Sequence, residues 1–350
     1  MSLKSLARIV IASCVISFLF VSSAFADPSQ SAAALQKSGK ATWTRLASDV
    51  ALGTMMEIVD EAYAKDSCED VIIATKEGYW DALTAAGLAG LYDCPVLMTD
   101  PFELSSETRY EIARIGASRA VIAGGTAAVT SVVEGELRDM GLATTRVWGQ
   151  TAAATARSVY ARGALAYKWG TTAIVATANG YWDAMAASPY SFAKHAPIFL
   201  AEVATSRGMK LDDETVETIK AGGFSDVIIC GGTAAVASSV ESQLSGLKVA
   251  RMAGKDAVDT SRLIAERSIA DGMTADGLAV ATNNGFWDGL CGAALAGREN
   301  APLLLMDIAA PAKAADGFVK AHSNEIMHGY IFGGTAAVPT AAETALKSAA

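Results

Sequence analysis

Three arginines recur at matching places in the sequence and carry the side chain best suited to gripping an anion. Arg45, Arg146 and Arg251 lie 101 and 105 residues apart. A guanidinium can bind a phosphate or carboxylate through two parallel hydrogen bonds, so all three are candidate ligand-binding residues. The alternative is structural, because each arginine could instead pair with an acidic residue of its own or a neighbouring segment and fix an interface.

Three aspartates recur beside three tryptophans. A Gly-Tyr/Phe-Trp-Asp motif places Asp81, Asp183 and Asp288 at predicted helix starts. A carboxylate there could act as an acid or base, but we interpret it as stabilising the positive end of the helix dipole. The adjacent tryptophans could stack on sugar rings, although packing in a core or an interface is the simpler interpretation.

An identical Gly-Gly-Thr-Ala-Ala-Val hexapeptide occurs three times between a predicted strand and a predicted helix. Backbone N–H groups at such a turn could hold an anion, or the glycines could serve only a tight turn with close backbone approach. The turn lacks the Gly-Lys-Ser/Thr of a P-loop and the Gly-x-Gly-x-x-Gly spacing of a dinucleotide site. The candidate ligand-binding glycines are Gly124, Gly125, Gly231, Gly232, Gly333 and Gly334.

The sequence offers little material for catalysis. Its three histidines, His195, His322 and His328, occupy no recurring position. It contains no His-Glu-x-x-His motif, nucleophile elbow or ligand-spaced cysteine and histidine cluster. We therefore predict that the protein is not an enzyme and has no catalytic residues, no metal site and no cofactor.

The first 26 residues have the pattern of a secretory signal. Two basic residues precede an almost wholly apolar run over 9–21, and Ala-Phe-Ala at 24–26 fits a signal peptidase site. We predict cleavage after residue 26, a short linker over 27–39, secretion, and no membrane attachment once the signal is removed. Acylation at Cys14 is the alternative, but the apolar run continues well beyond that cysteine.

The chain is acidic overall. It has 28 basic and 37 acidic residues, a net charge of −9, and two of the basic residues belong to the signal. Non-specific adhesion to nucleic acid or another anionic polymer is therefore disfavoured, and an anionic ligand would need a local basic site. Cys68 and Cys94 lie near predicted strand starts and could form a disulfide, whereas Cys230 and Cys291 are expected to be buried thiols.

These residues belong to one unit that is repeated over 40–142, 143–247 and 248–350. In each unit, apolar runs that indicate buried strands alternate with segments of helical periodicity. The strands precede the tryptophan motif, follow a proline, or end at the Gly-Gly turn. This alternation predicts an α/β fold in which parallel sheets are flanked by helices and joined by right-handed crossovers.

A short fourth strand runs through each repeated arginine and links one unit to the next. In the first unit this strand, at 41–46, precedes the other elements, and none follows the last helix of the third unit. We therefore predict that it completes the third sheet, so that the three units close on themselves in a pseudo-threefold arrangement. A solenoid is less favoured, because a unit of about 100 residues can bury its own core.

Together these elements resemble the cell wall binding repeat 2 family, whose modules occur in exported proteins of Gram-positive bacteria, usually three in tandem. The resemblance covers essentially the whole chain after the signal. It implies three tandem Toprim-like modules in a compact group. It also implies non-covalent attachment to an anionic cell-wall polymer, a polysaccharide or a teichoic-acid-like chain, which would retain the secreted protein at the wall surface.

The resemblance further implies a ligand-binding role for the proline-led strands, because the family's Pro-Ile-Leu-Leu element is associated with attachment. The first unit departs from the family in carrying Ser48 where Arg-x-x-Gly has its glycine. The aliphatic elements differ between units, so affinity is expected to differ too. The implicated residues are Pro95, Val96, Leu97, Met98, Pro197, Ile198, Phe199, Leu200, Pro302, Leu303, Leu304 and Leu305.

Three functional hypotheses follow. The first is an attachment protein that binds a wall polymer through three similar sites, whose combined avidity would exceed that of any single contact. The second is a secreted protein that binds a small solute in a cleft at the carboxyl ends of its strands. A peptidoglycan hydrolase is the third and least favoured.

Overall fold

The computed structural model describes residues 40–350. The predicted signal peptide, the alternative acylation site at Cys14 and the linker over 27–39 lie outside the described residues. Among the helices of residues 40–350, none combines the length and the hydropathy needed to cross a membrane.

Short apolar runs form the strands, as expected for parallel strands that are buried on both faces. The described strands are β1 (Thr42–Leu46), β2 (Asp70–Thr75), β3 (Val96–Thr99), β4 (Arg119–Ala123), β5 (Ala143–Val147), β6 (Thr172–Thr177), β7 (Ile198–Ala201), β8 (Val203–Ala204), β9 (Met209–Lys210), β10 (Asp226–Cys230), β11 (Lys248–Met252), β12 (Gly277–Thr282), β13 (Leu303–Met306) and β14 (His328–Phe332).

Helices alternate with the strands, and most present one apolar face to a sheet. The described helices are α1 (Ala51–Ala62), α2 (Trp80–Thr84), α3 (Ala86–Tyr92), α4 (Ser106–Ile115), α5 (Ser131–Asp139), α6 (Ala152–Ala164), α7 (Trp182–Ala193), α8 (Asp213–Ala221), α9 (Ser239–Gln243), α10 (Ala257–Ala270), α11 (Trp287–Arg298), α12 (Phe318–Ala321) and α13 (Thr340–Ala349).

The strands form three parallel sheets of four, with the same order in each. Sheet 1 has the order β3-β2-β4-β5, sheet 2 has β7-β6-β10-β11, and sheet 3 has β13-β12-β14-β1. The short antiparallel pair of β8 and β9 is separate from them. The α/β class with three repeated modules, predicted from the sequence, is confirmed.

The sheets are offset by one strand from the sequence units. β5 opens the second unit along the chain but pairs with β4 of sheet 1, and β11 pairs with β10 of sheet 2 in the same way. β1 pairs with β14, with Arg45 opposite Ile331, so the N-terminal strand completes sheet 3. The predicted closing strand is therefore confirmed, and its partner lies at the other end of the described chain.

The helices that follow these fourth strands belong to the next sheet. α6 follows β5 of sheet 1 but packs against β7 of sheet 2, and α10 packs against β13 of sheet 3. α1, which follows β1 of sheet 3, packs against β3 of sheet 1. Each connection therefore ties two sheets together, and the third returns to the first.

Helices α3, α7 and α11 pack against one another where the three sheets meet. Small residues allow this approach. A β-carbon on Gly90 of α3 would lie 2.1 Å from the carbonyl oxygen of Phe192 in α7. Gly297 of α11 meets the same phenylalanine, because a β-carbon there would lie 2.6 Å from Phe192 Cβ. The alanine- and glycine-rich composition thus serves close helix packing.

Three local expectations need correction. The helix expected from Trp80 onward is two helices, α2 and α3, which meet at Ala85. Serine is a common helix-capping residue and Ser105 precedes α4, so a cap is expected there, but its hydroxyl accepts the N–H of Asp100 at 2.9 Å and does not cap the helix. Cys68 and Cys94 are buried free thiols, and Cys68 Sγ donates to the carbonyl oxygen of Asp70 at 3.1 Å, so they form no disulfide.

Candidate functional site

The repeated motifs gather at the carboxyl edge of each sheet, which is where open parallel sheets bind their ligands. The tryptophan motif of sheet 1 follows β2 and the Gly-Gly turn follows the neighbouring β4, and the other two sheets repeat this arrangement. The carboxyl edges meet at three junctions. Their residues include Trp80, Gly125 and Ala178 at junction 1–2, Trp182, Gly232 and Asn283 at junction 2–3, and Trp287, Gly334 and Lys76 at junction 3–1.

Each Gly-Gly turn packs against the repeated aspartate of its own sheet. Gly124, Gly231 and Gly333 have φ angles of 109°, 109° and 103°, a region that favours glycine. A β-carbon on Gly124 would lie 2.4 Å from Asp81 Oδ2, and the other two turns approach their aspartates as closely. The next helix of sheet 1 begins only at Ser131. Close backbone approach, which is one of the two roles considered for this turn, therefore accounts for the first glycine of each pair, and anion binding by the turn stays a prediction.

Each repeated arginine is bound within the protein. Arg146 Nη2 lies 2.7 Å from Glu134 Oε2, and Nη1 donates to the carbonyl oxygen of Gly124 at 2.9 Å. Arg45 and Arg251 likewise pair with a glutamate of the helix after the turn and donate to the carbonyl of its first glycine. All three side chains are less than one fifth exposed. The structural alternative accounts for these contacts, and gripping a ligand would require breaking them.

The proline-led strands β3, β7 and β13 are edge strands of their sheets, but helices cover them. Helices α1, α4 and α11 pack against β3, and α6 and α10 pack against β7 and β13. The aliphatic and aromatic residues of these elements are at most 6% exposed, and the prolines are buried too. Most of these side chains therefore have little surface to offer a polymer, although Leu304 and Leu305 line a cavity of about 500 Å³. The ligand contact expected for residues 95–98, 197–200 and 302–305 stays a prediction.

The repeated tryptophans join neighbouring sheets. Each indole N–H donates to a backbone carbonyl just beyond the end of a strand in the next sheet, and the series closes on itself. The indoles remain 38–40% exposed, so one side of each ring is available to a ligand. The three bonds are Trp80 to Ala178 at 2.7 Å, Trp182 to Asn283 at 2.7 Å and Trp287 to Lys76 at 2.9 Å.

Three aromatic rings meet beside these bonds. The ring centroids of Tyr79, Tyr181 and Phe286 lie 5.6–5.8 Å apart in edge-to-face pairs, and each ring also contacts the tryptophan that follows it. Edge-to-face pairs of this kind add about 0.5–1.5 kcal/mol beyond the area they bury. The motif Tyr/Phe-Trp-Asp thus holds the three sheets together with its first residue, bonds to the next sheet with its second, and supports the glycine turn with its third.

Junction 2–3 holds an open cleft of about 720 Å³. Trp182, Asp183 and Gly232 line one side of it, and Lys255 and Asn284 line the other. The cleft combines an aromatic ring, a lysine and amide groups with the carboxylates of Asp183 and Asp256, so it suits a hydroxyl-rich ligand whose negative groups lie close to the lysine.

The repeated aspartates are partly buried carboxylates in these junctions. Burial raises the pKa of Asp81, Asp183 and Asp288, and for Asp183 it raises the pKa to about 6. Because that value lies above the unfolded value, Asp183 contributes stability that is full below about pH 4 and is lost as the pH rises through 6. The ionised carboxylate therefore destabilises the fold at neutral pH.

We expect Asp183→Asn to raise the free energy of unfolding at pH 7.5 by about 1–3 kcal/mol, because the amide keeps the shape and removes the charge. The gain should shrink by more than half at about pH 4.5, where the carboxyl of the folded protein is already protonated. Chemical denaturation at both pH values measures this. Asp139→Asn, at an exposed carboxylate, is the control. Equal stability of parent and Asp183→Asn at pH 7.5 would contradict the prediction.

Comparison with known protein families gives one match that repeats along the chain. The cell wall binding domain 2 (CWB2) family matches residues 45–134, 146–241 and 251–343. The chain belongs to this family. Each match begins at a repeated arginine and ends in the helix after a Gly-Gly turn, so the three CWB2 matches follow the sequence units and not the sheets.

Two similar proteins of Bacillus subtilis (strain 168) are longer than this CWB2 chain. The N-acetylmuramoyl-L-alanine amidase LytC is 27% identical over 301 residues, which cover 85% of this chain and 56% of the amidase. The amidase enhancer is 28% identical over 281 residues, which cover 79% of this chain and 36% of the enhancer. The chain thus spans about half the length, or less, of these relatives.

Two solved structures from Clostridium difficile share the CWB2 fold. Cwp6 aligns with a TM-score of 0.72 at 21% identity, covering 87% of this chain and 48% of Cwp6. Cwp8 aligns with a TM-score of 0.74 at 23% identity, covering 88% of this chain and 51% of Cwp8. At these identities the likeness extends to the fold alone.

Within residues 40–350, no three histidine, cysteine, aspartate or glutamate side chains are grouped so that they could hold a metal ion. Burial raises the pKa of the Cys68 thiol to about 11 and raises the pKa of the Cys94 thiol well above its usual range, so both thiols stay protonated at neutral pH.

The sequence did not indicate the clefts at the junctions between the sheets. The tryptophan acceptors are backbone carbonyls, which any residue type supplies, so no sequence signal marks Ala178 or Asn283 as partners. Lys255 lies in a loop where the other units carry Asp49 and Gln150. A search for repeated residues passes over such a position because it varies.

Proposed function

We propose that this protein attaches non-covalently to the bacterial cell wall by binding an anionic wall polysaccharide or teichoic-acid-like polymer. The observation that carries the proposal is the CWB2 match, which accounts for most of the described chain in three successive stretches. The proposal includes secretion and retention at the wall surface, with no nucleic acid partner.

The carboxyl edges of the sheets are the surface we assign to this binding. They carry the residues that recur in all three units and do not serve only the core, including tryptophan rings that are 38–40% exposed. An exposed indole face is a suitable platform for a sugar ring, and the neighbouring turns supply backbone donors and acceptors. The prolines that recur at the opposite edges, Pro95, Pro197 and Pro302, are buried.

Charge makes the attachment sensitive to salt. The chain has a net charge of −9, so an anionic polymer is repelled by the protein as a whole and must be held by local cations. Interactions of exposed charges weaken as the Debye length shortens from about 10 Å at 0.1 M salt to about 3 Å at 1 M. A salt wash should therefore release the protein from the wall.

The direct test is retention of the chain from Asp27 onward on purified walls, with and without their anionic polymer. We expect the protein to sediment with intact walls and to stay in the supernatant once the polymer has been extracted. Equal retention on both preparations would contradict an anionic polymer as the ligand. No retention on either would contradict wall attachment altogether.

A small-solute-binding protein is the second candidate, because cavities of about 500 and 720 Å³ are within the size range of small-molecule sites. Thermal-shift screening separates the two candidates. Stabilisation by a small metabolite, together with no wall retention, would favour the second. Hydrolysis of peptidoglycan is a weaker candidate, and we expect no clearing zone on a cell-wall gel.

A further inference from the structure

Three cavities along the carboxyl edges of sheets 2 and 3 adjoin one another through shared lining residues. A cavity of about 420 Å³ beside the β8–β9 hairpin shares Ala234 and Ala235 with the cleft at junction 2–3. That cleft in turn shares Lys255 and Asn283 with a cavity of about 500 Å³ that extends to the loop over 307–317. We call this row of three adjoining cavities the trough.

Junction 2–3 is open because a small residue lies two positions after its repeated arginine, Arg251. At junction 1–2 this residue is Trp148, and a β-carbon on Gly125 would lie 3.4 Å from its ring. The matching residue at junction 2–3 is Ala253, and a β-carbon on Gly232 would meet nothing within 4 Å. The indole of Trp148 therefore covers the turn that Ala253 leaves accessible.

Charge also distinguishes the three junctions. The residue four positions after the repeated arginine is Asp49 at junction 3–1, Gln150 at junction 1–2 and Lys255 at junction 2–3. Junction 3–1 adds a second acidic residue, Glu77, just after β2. The loop at junction 2–3 therefore carries a cation, Lys255, which lines both the cleft of about 720 Å³ and the neighbouring cavity of about 500 Å³.

Five aspartates line the trough, and four of them are engaged by neighbours within the protein, while the fifth, Asp183, packs against Gly231. Asp259 pairs with Arg262 at 2.9 Å, and Asp316 pairs with Lys320 at 2.7 Å. Asp256 and Asp307 each accept a backbone N–H, from Asp259 at 2.8 Å and from Ala309 at 2.9 Å. In the part of the chain that the structure describes, the ammonium groups of Lys255 and Lys313 have no carboxylate within ion-pair distance. These two lysines are exposed on the walls of the trough.

We propose that one extended strand of an anionic glycan lies in this trough, with phosphate or carboxylate groups at Lys255 and Lys313, and that the three junctions are not equivalent binding sites. This inference rests on the proposed wall attachment and narrows it. Trp148 closes junction 1–2 to a chain of this kind, and the acidic residues of junction 3–1 repel it. In this arrangement a single polymer strand contacts sheets 2 and 3, whereas the first hypothesis from the sequence has three similar binding sites.

The test compares three variants with the full chain in binding to soluble polymers. Lys255→Gln with Lys313→Gln removes both cations, and Lys168→Gln with Lys220→Gln removes two exposed lysines outside the trough as the charge-matched control. Ala253→Trp copies the residue that covers junction 1–2. The probes are poly(glycerol phosphate), polygalacturonate and, as the uncharged reference, dextran.

We expect the trough double variant to bind the anionic probe at least tenfold more weakly at low salt, with a flatter dependence of log Kd on log salt by roughly one to two. The control double variant should stay within twofold of the parent. Ala253→Trp should lose binding at all salt concentrations, because it blocks the trough without changing its charge. Tighter binding of poly(glycerol phosphate) would assign phosphate as the recognised group, and tighter binding of polygalacturonate would assign carboxylate.

The experiment distinguishes failure of the trough proposal from failure of the wall-attachment proposal. If the parent binds walls and an anionic probe, but the trough double variant and Ala253→Trp bind as well as the parent, the trough is overturned and wall attachment stands. If the parent binds neither walls nor any probe, both are overturned. Equal loss in the trough and control double variants would assign binding to net charge and would also overturn the trough.

Discussion

Gly90→Ala is expected to lower the free energy of unfolding by about 3 kcal/mol or more, although it adds a single methyl group. The new β-carbon would lie 2.1 Å from the carbonyl oxygen of Phe192, which belongs to the backbone of another helix and cannot rotate away. Helices α3 and α7 would have to separate where all three sheets meet. Urea denaturation followed by circular dichroism measures the change.

Gly135→Ala is the matched control for this prediction. Gly135 lies within α5, and a β-carbon there would meet nothing within 4 Å. Alanine is the better helix former by about 0.8–1 kcal/mol, so the same substitution should stabilise the protein at this position. A Gly90→Ala protein as stable as its parent would show that the central helices do not pack as described.

Arg45→Ala is expected to cost about 3 kcal/mol, because it removes a partly buried ion pair and leaves carbonyl groups without their donor. Arg45 Nη2 lies 2.7 Å from Glu343 Oε2, and Nη1 donates to the carbonyl oxygen of Gly333 at 2.6 Å. These contacts join the N-terminal strand to residues nearly 300 positions away. We expect thermal unfolding to become less cooperative as sheet 3 loses its edge strand.

Arg138→Ala tests whether the effect depends on position. Arg138 also pairs with a glutamate, Glu134, but its side chain is 59% exposed and it bonds only within its own segment. Exposed pairs contribute about 0–1 kcal/mol, so this variant should stay close to its parent. If the two arginine variants lost equal stability, the closing role of Arg45 would be wrong.

Much of the fold could be predicted because the sequence repeats itself. Three copies of one hexapeptide and one tryptophan motif mark the same strand ends in each unit, and the recurrence of Arg45 identified β1 as the missing edge strand. The offset between sheets and units is a finding of the structure. The break between α2 and α3 could not be predicted, because Ala85 has a strong helix propensity and the surrounding packing decides its conformation.

The candidate site was harder to predict, for a physical reason. A short aliphatic run has the same composition whether it is a buried strand or an apolar binding strip, and residues 95–98 proved to be buried. The arginines are equally ambiguous, because a guanidinium that binds a ligand and one that ties a turn to a helix occupy the same kind of sequence. Burial and partners, which decide between these roles, depend on the fold.

The interlocked architecture also explains how a CWB2 chain can present a defined surface. The three tryptophan bonds, the ring contacts of Tyr79, Tyr181 and Phe286, and the exchange of strands between units all link one sheet to the next. A rigid body loses little conformational entropy when it binds a long polymer, so weak contacts suffice for attachment.

Hydrogen–deuterium exchange of the protein bound to polymer-bearing walls tests the central claim most directly, because it locates the bound surface. We predict protection of the turns at the carboxyl edges, strongest around Gly232 and Lys255, and no change at the opposite edges, for example around Lys168. Protection confined to the opposite edges, or none at either edge while the protein stays bound, would contradict attachment through the junctions.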